Sequence, residues 1–330
     1  MIEMPVGVAR LEAASGEHFE RIQIARRTTE NELIKRQEQL ASLEQDDAAT
    51  VALMGSWGRR EVTSGSDDDF MIVFEGSERP GAKPSAEAVA QALGGPPPGP
   101  EEIFKTQVWL DDLEGKIGRN EDTNTNLTQR MLFVLESVPV CGEMVHANAR
   151  RSLLHGYLEG AKDYRPPRFL LNDVIRYWRT IAVDFESKMR DRKGEGWGLR
   201  NAKLRLSRKA LFAGGLLPIL DCYRYDSASM LDYLDERMAV PPLDRLADSF
   251  ADHDAVDAGV RALTAYNEFL SILDDPKRRD ELEELTAEQA RESVLFTRIS
   301  ELGKSFESGL LSLLFDDRDL LRRVREYLIF

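Results

Sequence analysis

One stretch constrains this chain more than any other: Leu53-Met54-Gly55-Ser56-Trp57-Gly58-Arg59-Arg60-Glu61, followed by Ser66-Asp67-Asp68-Asp69-Phe70-Met71-Ile72-Val73. Residues 50–54 form a short apolar run that a glycine ends, which predicts a strand. Residues 70–74 are uninterrupted and apolar, as in a strand covered on both faces. Glycine lets the backbone turn tightly, and free amide N–H groups with the Ser56 hydroxyl can face a phosphate. Asp67 and Asp69 head the second strand, where residues i and i+2 point to the same side. Two carboxylates on one side, close to a phosphate cradle, suit Mg²⁺, a hard ion that prefers oxygen ligands. Two such ions can activate an attacking hydroxyl and neutralise a leaving pyrophosphate. An Asp-rich turn alone is more often a cap or a solvated loop. The full string at its spacing carries the reading.

The rest of the chain gives that stretch its setting. The 330 residues are too many for one small domain and suggest two. Residues 15–43 have the apolar spacing of one amphipathic helix. The Gly/Pro-rich segment 76–100 holds a short helix at 85–93 and ends in Pro96-Pro97-Pro98-Gly99-Pro100, a loop or linker. A third strand is expected at 104–110. After Asn120 the pattern is helical almost to the end, most clearly over 125–137, 144–159, 169–189, 199–213, 256–273 and 286–315. The last of these opens on Thr286 and Gln289 at capping-box spacing. The expected fold is α+β: an N-terminal helical segment (1–48), a core with a small mixed sheet (49–122) and an all-α C-terminal domain (123–330).

Composition excludes some functions. The formal charge of −14 argues against a general nucleic-acid coat, which needs a basic field. Two cysteines make no disulfide framework, and with four histidines they assemble no zinc cluster of the common spacings. The N-terminus lacks the pattern of a signal peptide, and no apolar run approaches the ~18 residues of a membrane span. A cytoplasmic protein with no membrane partner is the expectation.

The motif resembles the nucleotidyltransferase superfamily of the DNA polymerase beta type: an apolar residue, Gly-Ser, a gap of ten residues (57–66), then Asp-x-Asp leading an apolar strand. The local form, with Gly55, Ser56, Gly58, Arg59, Glu61, Ser66, Asp67 and Asp69 all matching, is most similar to the PII-protein uridylyltransferase group. Asp68 departs from the usual aliphatic residue, and Asp67 and Asp69 remain the metal pair by the motif. The resemblance implies a nucleotide-binding core that uses Mg²⁺ (or Mn²⁺) and an NTP such as ATP. Gly55, Ser56, Arg59 and Ser66 would hold the nucleotide. A third catalytic carboxylate is also implied, with Asp111 the first candidate and Asp122 the second. Asp122 reads equally well as a cap or first-turn acid of the helix that follows. Weaker similarity covers 126–142 and the turn Glu195-Gly196-Trp197-Gly198-Leu199-Arg200.

A basic stretch forms a local positive island in an acidic chain. Arg200 and Lys203, with Lys188, are candidates for the triphosphate, and Tyr177 or Trp178 for stacking on a base. A solvated helix face, with Trp178 in the core, is the competing reading. These features lead to an enzyme that moves an NMP from an NTP to an acceptor hydroxyl and releases pyrophosphate. The acceptor is expected to be a protein. An oligonucleotide synthase or an RNA-end nucleotidyltransferase is the alternative within the class. A catalytically inactive nucleotide-binding regulator or antitoxin is the alternative outside it, and proximity of a third acid to Asp67 and Asp69 separates the two classes.

Overall fold

Strands β1 (Ala49–Met54) and β2 (Phe70–Phe74) are buried along their whole length. They pair antiparallel, with Leu53 opposite Phe70, so the end of β1 meets the start of β2. The computed structural model describes residues 6–63, 65–95, 103–104, 106–191 and 195–329. The expected loop at 96–100 lies outside them, as does the Lys188 side chain.

Two helices precede the sheet, α1 (Gly7–Ser15) and α2 (Glu20–Leu40). The helix expected over 15–43 is α2, shorter at both ends; α1 is an additional helix, which Gly16 closes with φ +76° and its N–H on the Glu12 carbonyl. After β2 come α3 (Ala86–Ala92), β3 (Thr106–Trp109), α4 (Leu110–Glu114), α5 (Asn124–Glu136), β4 (Ser137–Cys141) and α6 (Glu143–Tyr157). The chain continues through α7 (Arg168–Asp191), α8 (Trp197–Lys203), a π-helical turn (Leu204–Arg208), α9 (Lys209–Asp221) and α10 (Ser227–Ala239). It ends with α11 (Pro242–Asp252), α12 (Val256–Asp274), α13 (Pro276–Glu284), α14 (Val294–Asp316) and α15 (Arg318–Val324).

The sheet order is β3-β2-β1-β4, with β3 parallel to β2 and β4 antiparallel to β1. The fold is α+β, with a small mixed sheet and a largely helical remainder. Alternation divides the sheet into two apolar faces. Val51, Leu53, Phe70, Ile72, Phe74, Val138 and Val140 pack in one cluster with Leu33 and Leu40 of α2 and Val89 and Leu93 at α3. The opposite face, with Ala52, Met71 and Val73, meets α5 and α6. Strand β4 is a departure from the sequence reading, which expects helix and loop there. It carries Pro139 in its middle and lies at the sheet edge, where a missing N–H costs no ladder bond.

Two compact units result, and neither is continuous in sequence. One comprises Arg26–Tyr177 and Asp221–Pro241 and contains the sheet. The other comprises Met1–Ala25, Trp178–Leu220 and Pro242–Phe330 and, among the described residues, is helical. In the helical unit, Asp248 and Asp244 of α11 accept the Gly7 and Val8 N–H groups at 2.8 and 2.9 Å. Two orphan donors at the start of α1 are thus satisfied by carboxylates more than 230 residues away. Thr286 and Gln289 do form reciprocal bonds, but these close only the 3₁₀ turn Gln289–Arg291. Helix α14 starts afresh at Ser293, whose hydroxyl accepts the Phe296 N–H.

Replacing Asp248 by Ala strands the buried Gly7 amide. Urea denaturation is expected to show a loss of about 1–3 kcal/mol.

Candidate functional site

The turn after β1 is built by short backbone bonds. The Arg59 N–H reaches the Gly55 carbonyl at 3.0 Å, and the Glu61 N–H reaches the Ser56 carbonyl at 2.8 Å. Gly55 has φ +67°, a conformation glycine adopts without the Cβ penalty. Among the described residues, the Ser56 amide and hydroxyl make no hydrogen bond within the chain. These half-buried donors are available to an anion.

The acidic run stands directly beside this turn, because the Met54 N–H donates to the Asp69 carbonyl at 2.9 Å. Trp57, buried in the core, donates its indole N–H to the Asp67 carbonyl at 3.0 Å. Asp67 is exposed, and among the described residues no cation pairs with its carboxylate. Asp69 is half-buried. Asp68 is engaged by Arg36 of α2 at 3.1 Å, and that guanidinium also lies over the Trp57 ring. The acidic residue that breaks the motif thus ties this run to α2. Asp67 and Asp69 offer the carboxylate oxygens a hard divalent cation prefers. No cluster of three or more His, Cys, Asp or Glu side chains with metal-binding geometry occurs among the described residues.

The remaining candidates have other settings. The Ser66 hydroxyl accepts the Thr63 N–H at 3.0 Å and shapes the loop. Arg59 is buried, with its guanidinium on Glu61 at 3.1 Å and on Glu136. Tyr177 is buried as well and donates to Glu136 at 3.2 Å, so its ring is not an open stacking face. Arg200 and Lys203 are on α8, in the helical unit. Trp178 stacks on Phe212.

The two proposed third acids have other surroundings. Because β3 runs parallel to β2, with Trp109 opposite Phe74, Asp111 follows the far end of β2 from Asp69. Five strand residues separate the two ends, or about 16 Å. Asp111 bonds there with Ser77. Asp122 forms a two-pronged pair with Arg130 at 2.6 and 2.9 Å. The fully buried Arg130 also meets Asp173 at 3.1 Å and the Tyr157 hydroxyl at 2.8 Å. Burial alone would lower the Arg130 pKa, but Asp122 and Tyr157 hold it above its ordinary value. This ion pair ties Asp122 to α5.

Glu136, which sequence reasoning did not single out as a site residue, is central to the turn. It ends α5 and precedes β4, whose first residue pairs with Met54. Gly58 packs so closely that an added Cβ would lie 1.9 Å from the Glu136 carbonyl oxygen. The sequence signal was the pair Gly58-Arg59 itself: a glycine beside a buried cation implies close backbone approach and a carboxylate partner.

Residues 7–103 match the family model described as "Putative nucleotidyltransferase DUF294". The matched span contains the Gly55-Ser56 turn and the Asp67/Asp69 pair. No curated protein and no solved structure matches the chain. No helix among the described residues is long and apolar enough to cross a membrane.

Two outcomes follow from the packing. Gly58→Ala is expected to destabilise the sheet unit by about 3 kcal/mol, measured by chemical denaturation, because the clash is with backbone. The second concerns His146 of α6, which burial and the Arg150 charge hold down to a pKa of about 3. The unfolded chain then binds the extra proton between about pH 6.5 and 3, so stability falls as pH drops through that window. The slope is at most about 1.4 kcal/mol per pH unit, and His146→Gln should flatten it in denaturation midpoints recorded from pH 7 to pH 4.

Proposed function

We propose that the protein is a metal-dependent nucleotidyltransferase that moves an NMP from an NTP to a hydroxyl of a protein acceptor. The observation that carries this is the unspent Ser56 donors lying beside the Asp67/Asp69 pair at one end of β1 and β2. The Gly55-Ser56 turn would hold the terminal phosphates through amide and hydroxyl donors. Asp67 and Asp69 would hold Mg²⁺ or Mn²⁺. The bound ion would neutralise triphosphate charge and favour the ionised acceptor hydroxyl. The acceptor oxygen bonds to the α-phosphorus as the α–β bridging bond breaks, and pyrophosphate leaves. The −14 charge favours a protein acceptor over RNA, whose phosphates would be repelled.

A nucleotide-binding regulator is the second reading. It is favoured by Asp111 lying beyond the far end of β2 from the pair and by Asp122 being paired with Arg130. Incubation with each α-³²P-NTP and Mg²⁺ or Mn²⁺, with cell lysate or with total RNA, separates the readings. Label on a protein is expected, with Asp67→Asn reducing transfer at least 100-fold. Binding of NTP without any transfer would establish the regulator, and label on RNA would correct the acceptor.

A further inference from the structure

Behind the phosphate turn, on the side of β4, the sheet unit holds a cavity of about 650 Å³. It contains none of Ser56, Asp67 or Asp69. Gly58 and Arg60 form one wall, α2 another, and β4, α6 and the end of α10 the rest. Its volume is that of small-molecule sites.

Hydrogen bonding inside it fixes one polar group. The Ser137 hydroxyl lies 2.6 Å from the Phe133 carbonyl oxygen, and a carbonyl can only accept. The one hydroxyl proton is therefore used there. The Ser137 oxygen must then accept from His146 Nε2, 2.8 Å away. Nε2 carries the proton, and Nδ1 is a bare acceptor. This geometry excludes Ser137 as a histidine-activated nucleophile, since the histidine donates to it. Burial and the Arg150 charge keep the ring neutral at ordinary pH. Among the described residues no donor reaches Nδ1.

Arg150 lies one turn further along the same helix and also lines the cavity. Its Nε donates to Asp235 at 3.1 Å, and its other N–H groups make no hydrogen bond among the described residues. The cavity lining thus offers an acceptor and a donor four residues apart on one helix, the spacing of neighbouring side chains. The complementary ligand edge is an N–H next to a C=O, the cis-amide edge of uracil or guanine. Leu33, Val138, Val240 and Met238 supply apolar surface for a flat ring. The charged lining residues, Arg60 and Arg150 against Glu30 and Glu143, balance, which favours a neutral ligand over a phosphorylated one.

We propose that this cavity binds a neutral nucleoside-sized heterocycle through its cis-amide edge, read by His146 Nδ1 and the Arg150 guanidinium. The site is separate from the proposed NTP cradle and does not depend on the transfer reaction. Its wall at Gly58 and Arg60 belongs to the phosphate turn, so an occupant would press on that turn.

Calorimetric titration of the full chain with uridine and guanosine tests this, with 3-methyluridine and 1-methylguanosine as analogues lacking the N–H. Saturable binding of uridine or guanosine is expected, with the matching methylated analogue weaker by at least about tenfold. His146→Gln, whose amide nitrogen can keep the bond to Ser137, should weaken binding about tenfold. Ala147→Phe, which fills the cavity from α6 and keeps both polar residues, should remove it. Asp67→Asn should leave it unchanged, which separates failure of this site from failure of the NTP site. No saturation by either nucleoside at millimolar concentration would overturn the proposal. So would equal affinity for the methylated analogues, or loss of binding in Asp67→Asn.

Discussion

The phosphate turn is held by a buried cation. Arg59 projects from the turn between Glu61 and Glu136, and Glu136 also accepts from Tyr177. A desolvated guanidinium is tolerated only where carboxylates meet it, so this contact fixes where the turn can sit. It joins the segment after β1 to the junction of α5 and β4, some 77 residues away. Gly58 allows the two backbones to touch. The donors of Ser56 therefore stand on a fixed support, and pre-set donors are what binding an anion at low cost in order requires.

Around this clamp, polar side chains divide into those used by the fold and those left for a ligand. Asp68, Asp122, Arg130 and Tyr177 are committed to buried or half-buried partners. Their chemistry is spent within the chain. The Ser56 donors and the Asp67 carboxylate are not spent on the described residues, and they lie together. The same division applies in the cavity behind the turn. There Ser137 uses its proton on Phe133 and thereby sets which nitrogen of His146 remains an acceptor.

Much of the core was legible because its signals are local. The glycine that ends β1, the apolar run of β2 and the short helix expected at 85–93 each depend on residues close in sequence. Strand β4 was hidden because Pro139 reads as a breaker unless the strand is known to be an edge. The distance of Asp111 from the Asp pair has a topological reason. Asp111 follows a strand that neighbours the one led by the Asp pair, but a parallel strand delivers its last residue to the opposite end of the sheet. The partners of Asp122 and Tyr177 were not legible because burial is a property of the assembled helices.

The sequence by itself determined the Gly55-Ser56 and Asp67/Asp69 arrangement and the α+β class, since turn chemistry and strand periodicity are carried by neighbouring residues. Only the tertiary structure decided that Arg59, Tyr177 and Asp122 are internal partners, that Glu136 anchors the turn, and that the units are discontinuous in sequence. Those outcomes depend on which distant groups lose their water together, and a carboxylate or guanidinium takes its role from the partner that shares its burial.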